Sequence, residues 1–148
     1  KRTRQLMLSW LGRSLLPSWF GVPYNISELT VQKHSTGRET KIKFHVPQDN
    51  SEDPRPCIVF IFGSAFFGGK DMMSRPPWRK AFEHGWAIAI VDHRGSMEGG
   101  KFPAALHDVK AAIRYLRGNA KELQLDPDRF VSFGDSSGGW MSAMLALT

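Results

Sequence analysis

The sequence predicts an α/β fold, a doubly wound and mainly parallel sheet preceded by an antiparallel hairpin. Three observations carry this expectation. Residues 57–62 and 86–91 are uninterrupted apolar runs, as in strands buried on both faces of a parallel sheet. Helical patterns at 77–84 and 103–117 alternate with them, and strands alternating with helices imply a sheet covered on both sides. Ahead of both runs, residues 28–34 and 39–46 alternate apolar and polar residues around Ser35-Thr36-Gly37-Arg38, the signature of a hairpin with a short turn.

Composition sets the outer limits. A chain of 148 residues, 41% hydrophobic, holds one core, and its five Trp and ten Phe argue against disorder. The net charge of +6 arises partly from Lys1, Arg2, Arg4 and Arg13, and most other basic residues are spread along the chain. They form no basic face of the kind a nucleic-acid site needs, so no nucleic-acid partner is expected. The single Cys57 excludes an internal disulfide and reads as a core thiol. No His or carboxylate set has metal-ligand spacing, so neither a metal nor another cofactor is expected.

Taken in order, residues 1–22 read as an N-terminal helical segment and 23–148 as the main domain. Leu8, Leu11, Leu15 and Trp19 share a helical face, interrupted at Gly12 and stopped near Pro17. Residues 6–20 are too short and too broken to span a membrane and carry no cleavage site. The plain reading is a short helix packed on the domain; a flap or a membrane-surface contact is the sharper alternative. Residues 48–56 form a polar, proline-punctuated loop. After the 57–62 strand, Gly63 to Gly69 is a glycine-rich loop. Trp78 and Phe82 share one face of the next helix, which Gly85 ends. In 103–117, Leu106, Val109, Ile113 and Leu116 form the inward stripe, with Lys110 and Arg114 opposite and Pro103 suited to the first turn. The chain begins at Lys1 and stops at Thr148 inside a helical run without a stop signal, so it reads as a piece of a longer protein.

The most informative stretch is Arg129 to Trp140. Val131 and Phe133 point to one face of a short strand, Phe130 and Ser132 to the other; the strand is expected to be buried, with an open sheet edge on the side whose covering strands the 148 residues lack. It runs into Gly134-Asp135-Ser136-Ser137-Gly138 and then a helix-forming run to Leu147. Strand, G-x-S-x-G and helix in succession match a nucleophile elbow. The turn strains the middle serine and lifts its hydroxyl. Side chains at the flanking positions would meet backbone, hence Gly134 and Gly138.

The ordered set I-F-G-S-A-F-F-G-G (61–69), V-D-H-R-G (91–95), F-P-A-A-L-H-D-V-K-A-A-I-R-Y-L-R (102–117), D-P-D-R (126–129) and G-D-S-S-G-G (134–139) resembles the α/β-hydrolase superfamily. Within it, the chain is most similar to the esterase/lipase group with an H-G-G-(G/A) oxyanion loop, which includes feruloyl- and acetyl-xylan-type esterases. The resemblance covers about 28–148 and implies an N-terminal part of that fold. It implies Ser136 as the nucleophile of a serine ester hydrolase acting on a small-molecule ester. It also implies an oxyanion hole made by the backbone N–H groups of Ser64, Ala65 and Ser137.

The chain departs from the pattern in three places. Phe62 stands where the family has histidine, and Ser64 where it has glycine; a serine there would resist a positive φ. In the family the acid and base follow the serine, and only residues 137–148 follow Ser136 here. Of the five histidines, His34 and His45 belong to the hairpin, His84 ends a surface helix, and His107 falls on the polar side of its helix. His93, after a central strand, is the nearest candidate base, with anchoring of its loop as the plainer role. The leading function is therefore a serine esterase whose acid and base lie beyond Thr148. Two alternatives stay open, a serine peptidase of the prolyl-oligopeptidase kind and a non-catalytic ligand-binding protein on the same fold.

Overall fold

The computed structural model describes residues 23–68 and 78–148. The helix expected within 1–22 and any surface contact through 6–20 lie outside these residues. Five strands form one mixed sheet: β1 (Tyr24–Lys33), β2 (Glu39–Pro47), β3 (Arg55–Ile61), β4 (Ala87–Asp92) and β5 (Leu125–Gly134). Three helices accompany them, α1 (Trp78–Glu83), α2 (Ala104–Gly118) and α3 (Ser136–Leu147), with a 3₁₀ turn at Ser96–Glu98. The sheet order is β1-β2-β4-β3-β5. β1 and β2 pair antiparallel, as do β2 and β4, whereas β3 lies parallel to both β4 and β5. This is the expected hairpin joined to the expected parallel core.

The apolar runs form central strands because they can be buried on both faces. Ala87, Ile88, Ala89, Ile90 and Val91 of β4 are all buried, as are Val59, Phe60 and Ile61 of β3. On one face, α2 and α3 bring Val109, Ala112, Leu116 and Met141 against Ile42, Val59, Ile61, Ala89 and Val91. Leu106 is buried on the same helix and Ile113 partly so, so the expected stripe faces inward. On the other face, Phe82 of α1 joins Phe60, Phe62, Ile88 and Ile90, with Tyr24 stacked on Phe82 at 4.9 Å. Cys57 is fully buried, and burial pushes its thiol pKa up to about 12, so it is an inert core group.

Register positions the site. Ile61 lies opposite Val91 on one side and Gly134 on the other. The carboxyl ends of β3, β4 and β5 are therefore level, and the segments after them meet at one edge, where parallel sheets collect ligands.

Among the described residues β5 pairs only with β3 and is the expected open edge. The burial expected of this strand is not met on one face, where Val131 and Phe133 are 48% and 52% exposed. Its inner face is covered, with Phe130 on the α2 side and Ser132 Oγ 3.4 Å from the Ser142 carbonyl of α3. An open edge beside an apolar face promotes association. Residues 1–148 expressed alone are expected to elute as oligomers in light-scattering chromatography, and a monodisperse monomer at micromolar concentration would contradict this.

Candidate active site

The turn between β5 and α3 has the geometry that the G-x-S-x-G spacing implies. Ser136 adopts φ +48° as the first residue of α3, and it is exposed. A left-handed serine costs on the order of 1–3 kcal/mol and persists only where its surroundings over-determine it. The surroundings here are backbone. A Cβ at Gly134 would meet the Gly138 and Ile61 main chains, and one at Gly138 would run into the Ile61 carbonyl. β3 and the start of α3 thus lie too close for any side chain between them. Ser136 Oγ makes no hydrogen bond among the described residues.

The loop after β3 folds onto this turn and is strapped to it from both sides of Ser136. The Gly63 N–H donates to Asp135 Oδ1 at 3.0 Å. The Ser64 N–H donates to Ser137 Oγ at 3.0 Å, and the Phe66 N–H reaches the same oxygen at 3.4 Å. Within the loop, Ser64 Oγ accepts the Gly68 N–H at 3.2 Å. The left-handed residues are Ala65 at φ +48° and Phe66 at φ +64°. The strain expected at Ser64 therefore falls one and two residues later. A φ above zero at two successive non-glycine residues costs roughly 1–3 kcal/mol each.

The three N–H groups singled out from the sequence, those of Ser64, Ala65 and Ser137, differ in state. The Ser64 N–H is engaged by Ser137 Oγ. The N–H groups of Ala65 and Ser137 have no hydrogen-bond partner among the described residues. Both residues line, with Ser136, a cleft of about 740 Å³. Its remaining walls are Phe66, Phe102, Pro103, Ala105, Leu106, Trp140 and Met141. Trp140 stands edge-on to Phe66 at 5.7 Å and to Phe102 at 6.0 Å. The cleft is apolar apart from the serine hydroxyls and free amides, a composition suited to an uncharged ligand with one polar centre.

A buried ion pair braces the segment after β4, which in turn braces the loop. Asp108 on α2 is 1% exposed and accepts from Arg94 three times: the backbone N–H at 2.9 Å, Nε at 2.9 Å and Nη2 at 2.7 Å. Burial alone would raise the Asp108 carboxyl, but the Arg94 hydrogen bonds and charge outweigh it and hold the pKa below the ordinary value. Two residues on, the Ser96 N–H donates to the Phe66 carbonyl at 2.7 Å. Arg38 of the hairpin turn pairs with Asp92 at 2.6 Å and with Glu98 at 3.4 Å, tying this corner to the sheet.

No histidine lines the cleft among the described residues. His93 is fully buried, with Nδ1 3.1 Å from the Arg94 carbonyl and Nε2 without a partner among the described residues. His34 packs beside Thr40 Oγ1 at 2.8 Å and 3.6 Å from Asp108. His107 is exposed, as its place on α2 implies. Phe62 is 5% exposed and sits edge-on to Phe60 at 5.5 Å, facing α1 rather than the cleft. No metal-binding group of His, Cys, Asp or Glu occurs among the described residues.

Sequence reasoning did not single out the side chain of Ser137, the Asp135 strap or the aromatic wall. For Trp140 a signal existed, since it lies four residues after Ser136 and so on the same helical face. For Ser137 Oγ there was none, because its partners are 73 and 71 residues away.

The sequence and the fold have known relatives. The BD-FAE family model matches residues 42–148. Carboxylesterase NlhH of Mycobacterium tuberculosis is 38% identical over 97 residues, covering 64% of this chain and 30% of that protein. Lipase 2 of a Moraxella species is 40% identical over 96 residues, covering 65% of this chain and 22% of that one. The chain thus spans less than a third of the length of these curated relatives. Among solved structures, a bacterial heroin esterase superposes with a TM-score of 0.72 at 32% identity, over 84% of this chain and 39% of the other. A truncated carbohydrate esterase from gut microbiota gives 0.65 at 31% identity, over 82% and 44%.

Proposed function

Since the chain belongs to the BD-FAE family, with the fold of esterase α/β-hydrolases, we propose that it is the nucleophile-bearing part of a serine carboxylic-ester hydrolase. The observation that carries the proposal is the exposed, left-handed Ser136, which lines an apolar cleft together with Ala65 and Ser137, whose N–H groups are unpaired among the described residues. In the reaction, Ser136 Oγ attacks the ester carbonyl carbon while its proton passes to a base. The carbonyl oxygen becomes an oxyanion held by the N–H groups of Ala65 and Ser137, the latter at the positive end of α3. Collapse expels the alcohol, which takes the proton back, and leaves an acyl-serine. Water then attacks the acyl carbon, releases the acid and restores the hydroxyl.

The base and its supporting acid are assigned to sequence beyond Thr148. This rests on the short coverage of the relatives and on the absence of a described histidine from the cleft. Residues 1–148 alone should therefore leave p-nitrophenyl acetate hydrolysis at background, whereas the complete protein should hydrolyse it and be labelled by a fluorophosphonate at Ser136. Turnover by the 148-residue chain that is lost in both Ser136→Ala and His93→Ala would reverse the assignment and make His93 the base. The departures at Phe62 and Ser64 are what favour the non-catalytic alternative. Phe62 replaces the family's histidine as a packed core residue and leaves the serine region unobstructed.

A further inference from the structure

We infer that the hydroxyl of Ser137 is a positioning group for the oxyanion-binding amides, distinct from the role of its backbone N–H. The inference rests on the esterase reading of this site and deepens it. Ser137 is 6% exposed, and its Oγ accepts two main-chain N–H groups, those of Ser64 and Phe66. These two groups flank Ala65. One oxygen on the first turn of α3 therefore grips the loop on either side of the residue whose own N–H is left for substrate.

The grip explains why Ala65 and Phe66 both hold φ above zero without glycine. A left-handed pair released from its partners relaxes to extended or right-handed backbone, which rotates the peptide plane carrying the Ala65 N–H away from Ser136. The same bond removes the Ser64 N–H from the set of donors. The resting site thus presents two pre-aimed amides, Ala65 and Ser137, rather than three. Pre-aiming matters because a donor that must reorient during the reaction contributes less to the transition state than one already in place. Since the bonds are to the loop and not to substrate, their loss should act on the chemical step more than on ground-state binding.

The test uses the complete protein with Ser137→Ala, Ser137→Thr and, as control, Ser136→Ala. The substrate is p-nitrophenyl acetate, and a trifluoromethyl ketone serves as a mimic of the tetrahedral adduct. Ser137→Ala should lower kcat on the order of ten- to a hundredfold with KM within about twofold. It should weaken ketone inhibition by the same factor. Ser137→Thr, which keeps the hydroxyl, should recover most of both. Amide hydrogen exchange of the peptide spanning 62–68 should speed up in Ser137→Ala. Unchanged kcat in Ser137→Ala overturns the inference. Raised kcat also overturns it, because it would mean that Ser137 blocks a useful Ser64 donor. If the wild type neither turns over ester nor labels at Ser136, the esterase reading fails instead. Exchange at 62–68 then still decides whether Ser137 holds the loop. Should Ser137→Thr fail to fold, Ser137→Ala alone decides the outcome.

Discussion

Ser136→Ala in the complete protein is expected to abolish ester turnover, with kcat falling on the order of a million-fold toward the uncatalysed rate. Removing the nucleophile of a serine hydrolase costs about this much, because no other group can form the acyl intermediate and the base is left without a proton to take. Residual acceleration of about 10³- to 10⁴-fold over water can survive through binding and the amide donors alone. Folding should be unaffected, since Ser136 Oγ makes no hydrogen bond among the described residues and alanine tolerates the left-handed turn no worse than serine. The measurements are initial rates with p-nitrophenyl acetate, fluorophosphonate labelling detected by mass, and thermal unfolding of both proteins. Turnover within tenfold of wild type would remove Ser136 from the mechanism and leave only the cleft to explain. Loss of activity together with loss of folding would mean the serine is structural.

The second large effect is on stability. Asp108→Ala should destabilise the complete protein by about 3 kcal/mol at neutral pH. Breaking a buried pair from one side leaves its partner without a counter-charge, which typically costs about 3–5 kcal/mol. The lower end applies because the Arg94 side chain is 20% exposed and can reach water. Asp108 also accepts the Arg94 backbone N–H, so the segment that holds the Phe66 carbonyl through Ser96 should loosen. Activity should therefore fall along with stability.

The pH dependence has a definite sign. The Asp108 carboxyl is held below its ordinary value of 3.8 in the folded protein. Its contribution is then fully present above that value and is lost as pH falls through the depressed folded one. Wild type and Asp108→Ala should thus differ most at neutral pH and converge under acid conditions. Asp49, held near 2 by its paired contact with the buried Arg55, acts in the same direction at a more exposed site. Urea unfolding followed by tryptophan fluorescence at several pH values measures both effects. A loss under about 1 kcal/mol at neutral pH, or a gap that widens on acidification, would contradict the argument.

Much of this protein is legible in its sequence, for reasons that lie in local chemistry. Unbroken apolar runs at 57–62 and 86–91 become central parallel strands because only a doubly covered sheet buries them. The spacing of Leu106, Val109, Ile113 and Leu116 determines which side of α2 meets the sheet. Gly134, Ser136 and Gly138 announce a sharp strand-to-helix turn because few other sequences tolerate one. These are properties of neighbours in the chain, and neighbours suffice to state them. What the tertiary structure alone decided depends on partners far apart in sequence. Periodicity could not expose Val131 and Phe133 of β5, since exposure depends on what packs against that face. Nor could it turn Phe62 toward α1, or move the left-handed strain from Ser64 to Ala65 and Phe66. The direction of an N–H or a hydroxyl is set by whichever acceptor the fold brings within about 3 Å. For Ser64 that acceptor is Ser137 Oγ, 73 residues along the chain, brought there because β3 and β5 lie side by side with Ile61 level with Gly134.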